Sequence, residues 1–170
     1  MDAGALNVIR AAQAIHNDLV SQLGPPEEGL PADTHLVVPA ALVRKTRGYI
    51  EKVTNQANGC YEKGWYDAAA VMVRRLLETL IIEAFEHHKI ASKIKKGDDF
   101  LYLRDLINAT LSESTWNLSR NTRSALPKLK DIGDKSAHSR YYNAVRDDLA
   151  PLLPDIRMCV QELTHHAGLK

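Results

Sequence analysis

Apolar residues in this chain recur at intervals of three and four, and no stretch of useful length alternates apolar with polar. That spacing turns one face of each segment toward a core in helical geometry and predicts an all-α fold. The first segment, residues 5–23, places Leu6, Ile9, Ala12, His16, Leu19 and Leu23 along one side and stops at Gly24-Pro25-Pro26. The stretch after it, with Pro25, Pro26, Gly29 and Pro31, reads as a loop. It sets off residues 1–38, a helix and Pro/Gly-rich loop, from a helical body at 39–170. In the body, Pro39 suits the first turn of a helix running to about residue 63 through Leu42, Ile50, Val53 and Ala57, and Gly64 suits its end. The next helix, residues 66–89, is almost wholly apolar or helix-favouring between 68 and 85. Such a segment belongs at the centre, covered on most sides.

Residues 93–99 form a charged turn in which Asp98 or Asp99 can cap a short helix over 100–111. A polar break at 112–115 separates it from a helix over 116–137, expected to kink at Pro127. The last segment carries Val145, Leu149, Leu152, Ile156, Cys159 and Leu163 in one stripe, and Pro151 and Pro154 predict a late start or an early bend. The sum is a helical bundle of about five to six helices.

Composition narrows the classes. A chain of 170 residues can bury a real core as one domain. Its net charge of +1 offers no global pull toward nucleic acid or an anionic membrane, so such binding needs a local patch. Cys60 and Cys159 are far apart, in no zinc-binding spacing, and Cys159 falls in an apolar stripe where packing is its expected role. The opening MDAGALNVIR has no signal-peptide pattern, and no apolar run reaches the length of a membrane span. The expectation is a soluble cytoplasmic protein with no membrane partner, no metal and no cofactor.

Within residues 61–81, GWYDAAA looks like the turn of a tetratricopeptide repeat, but no second copy follows at that repeat's period. Arg74 and Glu78, four apart, share a helix face flanked by Val71, Ile81, Ile82 and Phe85, which predicts a partly buried structural ion pair. EAFEHH and ELTHH each set a carboxylate near histidines. Only Glu162–His165 has the Glu-x-x-His spacing of di-iron bundles, so solvated helix ends are the expected reading.

The strongest electrostatic feature is the stretch from Arg120 to Arg140. It holds Arg120, Arg123, Lys128, Lys130, Lys135 and Arg140 against only Asp131 and Asp134, a local excess of four positive charges. Phosphates are the natural partner of such a patch, and a solvated helix face is the plain alternative. His138 inside it can act as general acid or base near neutral pH. Tyr141 and Tyr142 follow, able to stack on bases or to pack on the bundle. No supported Ser or Cys nucleophile and no glycine-rich phosphate loop accompanies them.

YDAAAVMVRRLLETLI followed by LKDIGDKSAHS resembles the bacterial family called domain of unknown function 4145, over roughly residues 40–165. That family looks like a branch of the HEPN superfamily of helical bundles, common in toxin–antitoxin, restriction and anti-phage systems. Active members carry an Arg, usually with a polar residue after it, and a His four to six residues beyond. They dimerise so that both motifs face one cleft. The resemblance implies metal-independent RNA cleavage in such members, the Arg stabilising the phosphate and the His assisting proton transfer. Here Gly133 stands where the Arg belongs, and Asp134 holds the polar position. Lys130 and Lys135 are near at other spacings and lack the planar fork of Arg. RAAQAIH, residues 10–16, has the spacing but Ala11 as follower, and it lies outside the matched region, so it reads as coincidence.

Loss of a preorganised cation commonly costs orders of magnitude in rate. The leading expectation is therefore a catalytically degenerate HEPN-like binding or regulatory domain of a bacterial nucleic-acid-associated or defence system. It would be a homodimer, partnered by RNA, DNA or a protein encoded nearby. Lys130, Lys135, Arg140, Arg123 and Lys128 are its expected nucleic-acid contacts, with His138 hydrogen-bonded across the bundle and Gly133 letting two helices approach. Two alternatives stay open: a ribonuclease with a non-standard site of His138, Asp134 and Lys135, and an oligomerisation module joined through the third and sixth helices.

Overall fold

The apolar run that begins just after Gly64 becomes the axis of the molecule. In the computed structural model, which describes residues 11–14 and 36–170, this run is a helix of 22 residues, Tyr66–His87. The helix expected over residues 5–23 and the loop after it lie outside the described residues, apart from residues 11–14, which are helical. From residue 36 onward the chain forms α1 (Ala40–Val43), α2 (Gly48–Glu62), α3 (Tyr66–His87), a 3-10 turn (Ala91–Ile94) and a hairpin of β1 (Lys95–Lys96) and β2 (Asp99–Phe100). Then come α4 (Leu103–Ser112), α5 (Arg120–His138), α6 (Arg146–Leu149), a second 3-10 turn (Ala150–Leu152) and α7 (Leu153–His166). The architecture is an all-α bundle with one minor two-stranded sheet.

α3 packs against α2, α5 and α7 at once. Its Ala69, Ala70, Val73, Leu76, Leu77, Leu80, Ile81, Ala84 and Phe85 are all buried, which is why its sequence shows no polar face of ordinary width. Each such large side chain contributes about 1.5–3 kcal/mol on leaving water. Most of α3's apolar surface is thus committed inside the chain, with Val71, Met72 and Ile82 left half-buried.

Both ends of α3 are shaped by the same hydrogen-bonded cap. At the α2–α3 corner, Gly64 (φ 77°) lets its own N–H donate to Tyr61 O (3.1 Å) and Trp65 N–H donate to Cys60 O (2.8 Å). That is the Schellman pattern, and it needs a left-handed residue at Gly64. After α3, Lys89 N–H donates to Glu86 O (3.0 Å) and Ile90 N–H to Phe85 O (2.9 Å), with Lys89 itself left-handed at φ 59°.

Several expected boundaries shift, each for a local reason. The helix expected from Pro39 to about residue 63 is broken between α1 and α2, where Lys45 turns left-handed (φ 66°) and its N–H donates to Glu51 Oε1 (2.6 Å). The body takes in residues ahead of Pro39: Leu36, Val37 and Val38 are buried. The Asn58 side-chain amide clamps Val38, accepting from its N–H and donating to its carbonyl, both at 2.9 Å. Asp98 and Asp99 do not cap the fourth long segment. They belong to the hairpin, whose tip is Gly97 (φ 67°), and α4 starts later, after Tyr102.

The helix expected from Trp116 begins instead at Arg120, because Ser119 caps it by accepting from Thr122 N–H (3.2 Å). Trp116 and Leu118 are core residues in the preceding loop. α5 runs on through Pro127, which faces solvent. The last segment does bend early: α6 and a 3-10 turn containing Pro151 precede α7, which has Pro154 in its first turn. Cys60 and Cys159 are free thiols in the core, and burial pushes the Cys159 thiol up to about 12. Among the described residues, no helix is long and apolar enough to cross a membrane.

Candidate functional site

Gly133 decides where α3 and α5 meet. A Cβ built on it would lie 2.7 Å from Arg74 Cβ, 3.1 Å from Arg74 Cδ and 3.2 Å from the Ala70 carbonyl oxygen. Only a residue with no side chain fits, so the aliphatic stem of Arg74 crosses directly over the α5 backbone. Beyond it the guanidinium reaches Asp134, its Nε 2.8 Å from Asp134 Oδ1. The expected Arg74–Glu78 pair is present as the looser partner, at 3.7 Å.

Asp134 holds a second cation. Lys130, one turn earlier on the same face of α5, places Nζ 2.7 Å from Asp134 Oδ2 and 3.2 Å from Asp131 Oδ1. Burial alone pushes the Asp134 carboxyl up, but the hydrogen bonds from Lys130 and Arg74 outweigh it and hold the group below the usual range. The reciprocal contact with Asp134 raises the Lys130 ammonium above its ordinary value. Asp134 is therefore a fixed anion organising two cations, ill-suited to giving or taking a proton near neutrality.

These groups form one wall of a pocket of about 260 Å³ lined by Arg74, Tyr102, Arg104, Asp105, Lys130, Asp134 and His138. Helical spacing of four puts Lys130, Asp134 and His138 in one row down α5. α4 supplies the opposite wall, with Arg104 Nε 3.3 Å from Asp105 Oδ1. Three permanent cations and two carboxylates line the pocket, and Glu78 and Asp131 beside it also pair with Arg74 and Lys130, so each cation already has a carboxylate partner. The ends of α5 are fixed in place. Glu162 accepts from both the N–H (2.5 Å) and the hydroxyl (2.8 Å) of Ser119, and Asp67 accepts from Ala144 N–H (2.9 Å) in the loop beyond His138.

The expected site residues separate into three groups. His138, Asp134, Lys130 and Arg74 come together in the pocket. His138 is exposed on the last turn of α5 and has no hydrogen-bond partner among the described residues, so its expected bond across the bundle is not made. Lys128 and Lys135 are exposed, roughly 110° around the helix from the pocket row at 3.6 residues per turn, which splits the expected basic patch. Arg123 is structural, its Nη2 donating to Leu111 O (2.7 Å) at the end of α4, and Arg140 lies over the exposed ring of Tyr141 at 5.7 Å. Tyr102, Arg104 and Asp105 are the pocket residues that sequence reasoning missed. A Tyr-x-Arg-Asp string at the start of a short helix carries no signal that sets it apart from a solvated face.

The two histidine pairs also converge, far from metal-binding geometry. His88, Trp116 and His166 form a row, with centroids 5.1 Å apart for His88–Trp116 and 5.9 Å for the stacked Trp116–His166 pair. Among the described residues no group of three or more His, Cys, Asp or Glu side chains could hold a metal ion. No protein-family model matches this chain, and no curated protein and no solved structure matches it.

Proposed function

We propose that the chain is a HEPN-like helical domain that binds the backbone of RNA without cleaving it, as a binding or regulatory element of a bacterial nucleic-acid-associated or defence system. One observation carries the reading: Arg74, Arg104 and Lys130 converge with His138 on a single open pocket of about 260 Å³. Arginine forks and a lysine ammonium are the groups that hold phosphate oxygens. The pocket is slightly smaller than the roughly 300–1,000 Å³ of sites that enclose a whole small molecule. A phosphate with part of its sugar suits it better. Exposed Arg140, just beyond α5, would then extend contact outside the pocket, whereas Lys128 and Lys135 face another side of the helix. The resemblance to HEPN domains adds a homodimer with two such pockets, which sedimentation of the purified chain checks directly.

Binding of a labelled single-stranded RNA, measured by fluorescence anisotropy across a salt series, tests the reading. The expected result is affinity that falls as salt rises, by about 0.7 logarithmic units per tenfold rise in salt for each neutralised phosphate. Lys130→Glu and Arg104→Glu should each weaken it. No binding at low salt would overturn it.

A second reading, a metal-independent ribonuclease, is favoured by one specific feature. Gly133, which replaces the motif arginine, is what admits Arg74 from α3 into the pocket that His138 lines. On this reading Arg74 would take the part of the arginine absent from the linear motif. Incubation with total RNA decides between the two: cleavage by the wild type that disappears in His138→Ala establishes the enzyme, and intact RNA in both supports binding alone.

A further inference from the structure

A second pocket, about 460 Å³, adjoins the first. Tyr102, Arg104 and Asp105 line both, and Lys96, Asp99 and Phe100 are among the residues that complete the second. The shared wall is therefore a tyrosine, an arginine and a carboxylate. Tyr102 is 84% exposed, and its hydroxyl has no hydrogen-bond partner among the described residues. Its backbone, by contrast, is well fixed: the Tyr102 carbonyl accepts from Asp105 N–H (2.8 Å) and Leu106 N–H (3.0 Å) as α4 begins. A large ring on a rigid mount, standing clear between two pockets, offers a flat face with nothing of this chain on it. Tyr141 is as exposed, but it lines neither pocket.

Resting on the RNA-binding reading above, we infer that the two pockets are consecutive nucleotide subsites for an unpaired strand, with a base stacked on Tyr102 and Arg104 reaching a phosphate between them. Arg104 borders both pockets, as a group bridging two nucleotides must. The first pocket takes a backbone phosphate at Arg74 and Lys130. The second is the larger, and Phe100, Leu101 and Tyr102 line it together with Lys96, Asp99 and Asp105, a setting for a base and its sugar. Stacking on Tyr102 requires a base with a free face. Bases inside a duplex have both faces covered by their neighbours, so the site selects single strands.

Anisotropy with a short fluorescein-labelled RNA, unpaired or closed into a duplex, tests this with the full chain. The unpaired strand should bind at least about ten-fold tighter than the duplex. Tyr102→Ala should weaken it about five- to hundred-fold, the range of one base–aromatic stack. Tyr102→Phe should restore it, and neither change should alter the melting temperature, since the ring packs on nothing. Equal affinity for single strand and duplex overturns the inference, as does wild-type affinity in Tyr102→Ala. The two readings fail separately. Binding lost in Lys130→Glu and kept in Tyr102→Ala removes the stacking subsite alone, whereas no RNA binding by the wild type removes the proposed function with it.

Discussion

Replacing Gly133 by alanine sets two known effects against each other. In the interior of a helix, glycine costs about 1 kcal/mol relative to alanine, so the substitution stabilises α5 in isolation. The new methyl would stand 2.7 Å from Arg74 Cβ and 3.2 Å from the Ala70 carbonyl oxygen. Carbon atoms prefer about 3.5–4.0 Å, and neither neighbour is the free end of a side chain, because both are fixed to the α3 backbone. The two helices must part by several tenths of an ångström, and overpacking of this kind costs about 1–3 kcal/mol, at the upper end where the obstacle is rigid. The net expectation is a loss of about 1–2 kcal/mol. For a chain of this length that lowers the melting temperature by about 2–8 °C. Gly48→Ala is the internal control: nothing lies within 4 Å of its added Cβ, so the same measurement should show no loss. A Gly133→Ala variant that melts at or above the wild type would refute the close approach of α3 and α5 and with it the placement of Arg74.

Three further outcomes follow from local features. Burial lowers the proton affinity of His166, so between its folded value and the ordinary 6.5 the unfolded chain binds more protons. Its share of stability is complete above pH 6.5 and is lost as pH falls below, and melting curves from pH 7 to 5 should slope less in His166→Phe, which keeps the ring on Trp116. Lys89→Gly should raise the melting temperature by removing a left-handed lysine from the α3 cap, a gain of about 0.5–1 kcal/mol; an unchanged melt would argue against that geometry. Asp134→Asn frees Arg74 and Lys130 from their shared carboxylate, so RNA should bind more tightly and with a steeper salt dependence. Weaker binding in that variant would mean that Asp134 aims the cations rather than masking them.

The long elements were legible because periodicity reports burial directly. α3 and the α7 stripe are examples, and so is Gly64, whose corner is set by one residue's allowed φ. Boundaries were less so wherever a distant partner decides them. Ser119 caps α5 with help from Glu162, 43 positions away, and the break at Lys45 depends on a carboxylate one turn into the next helix. The site shows the same division. The row Lys130, Asp134, His138 follows from spacing by four. The companion row was out of reach: Arg104 and Tyr102 join it only through the packing of α4 on α5. The Arg74–Glu78 pairing was anticipated from local spacing, whereas the closer bond of Arg74 to Asp134 spans two helices and has no local signature.

Arg74 and Asp134 are 60 positions apart, and Arg104 lies between them on a third helix. No fragment of the unfolded chain holds these groups together, so the pocket comes into being only with the native state. A ligand that fills it therefore binds the folded form alone and shifts the unfolding equilibrium by mass action. At a hundred times its Kd that shift is about 2.7 kcal/mol, which raises the melting temperature by about 5–11 °C in a chain of this size. The scattered origin of the pocket thus makes thermal stability a direct reporter of occupancy, one that requires no enzymatic activity and no label on the ligand.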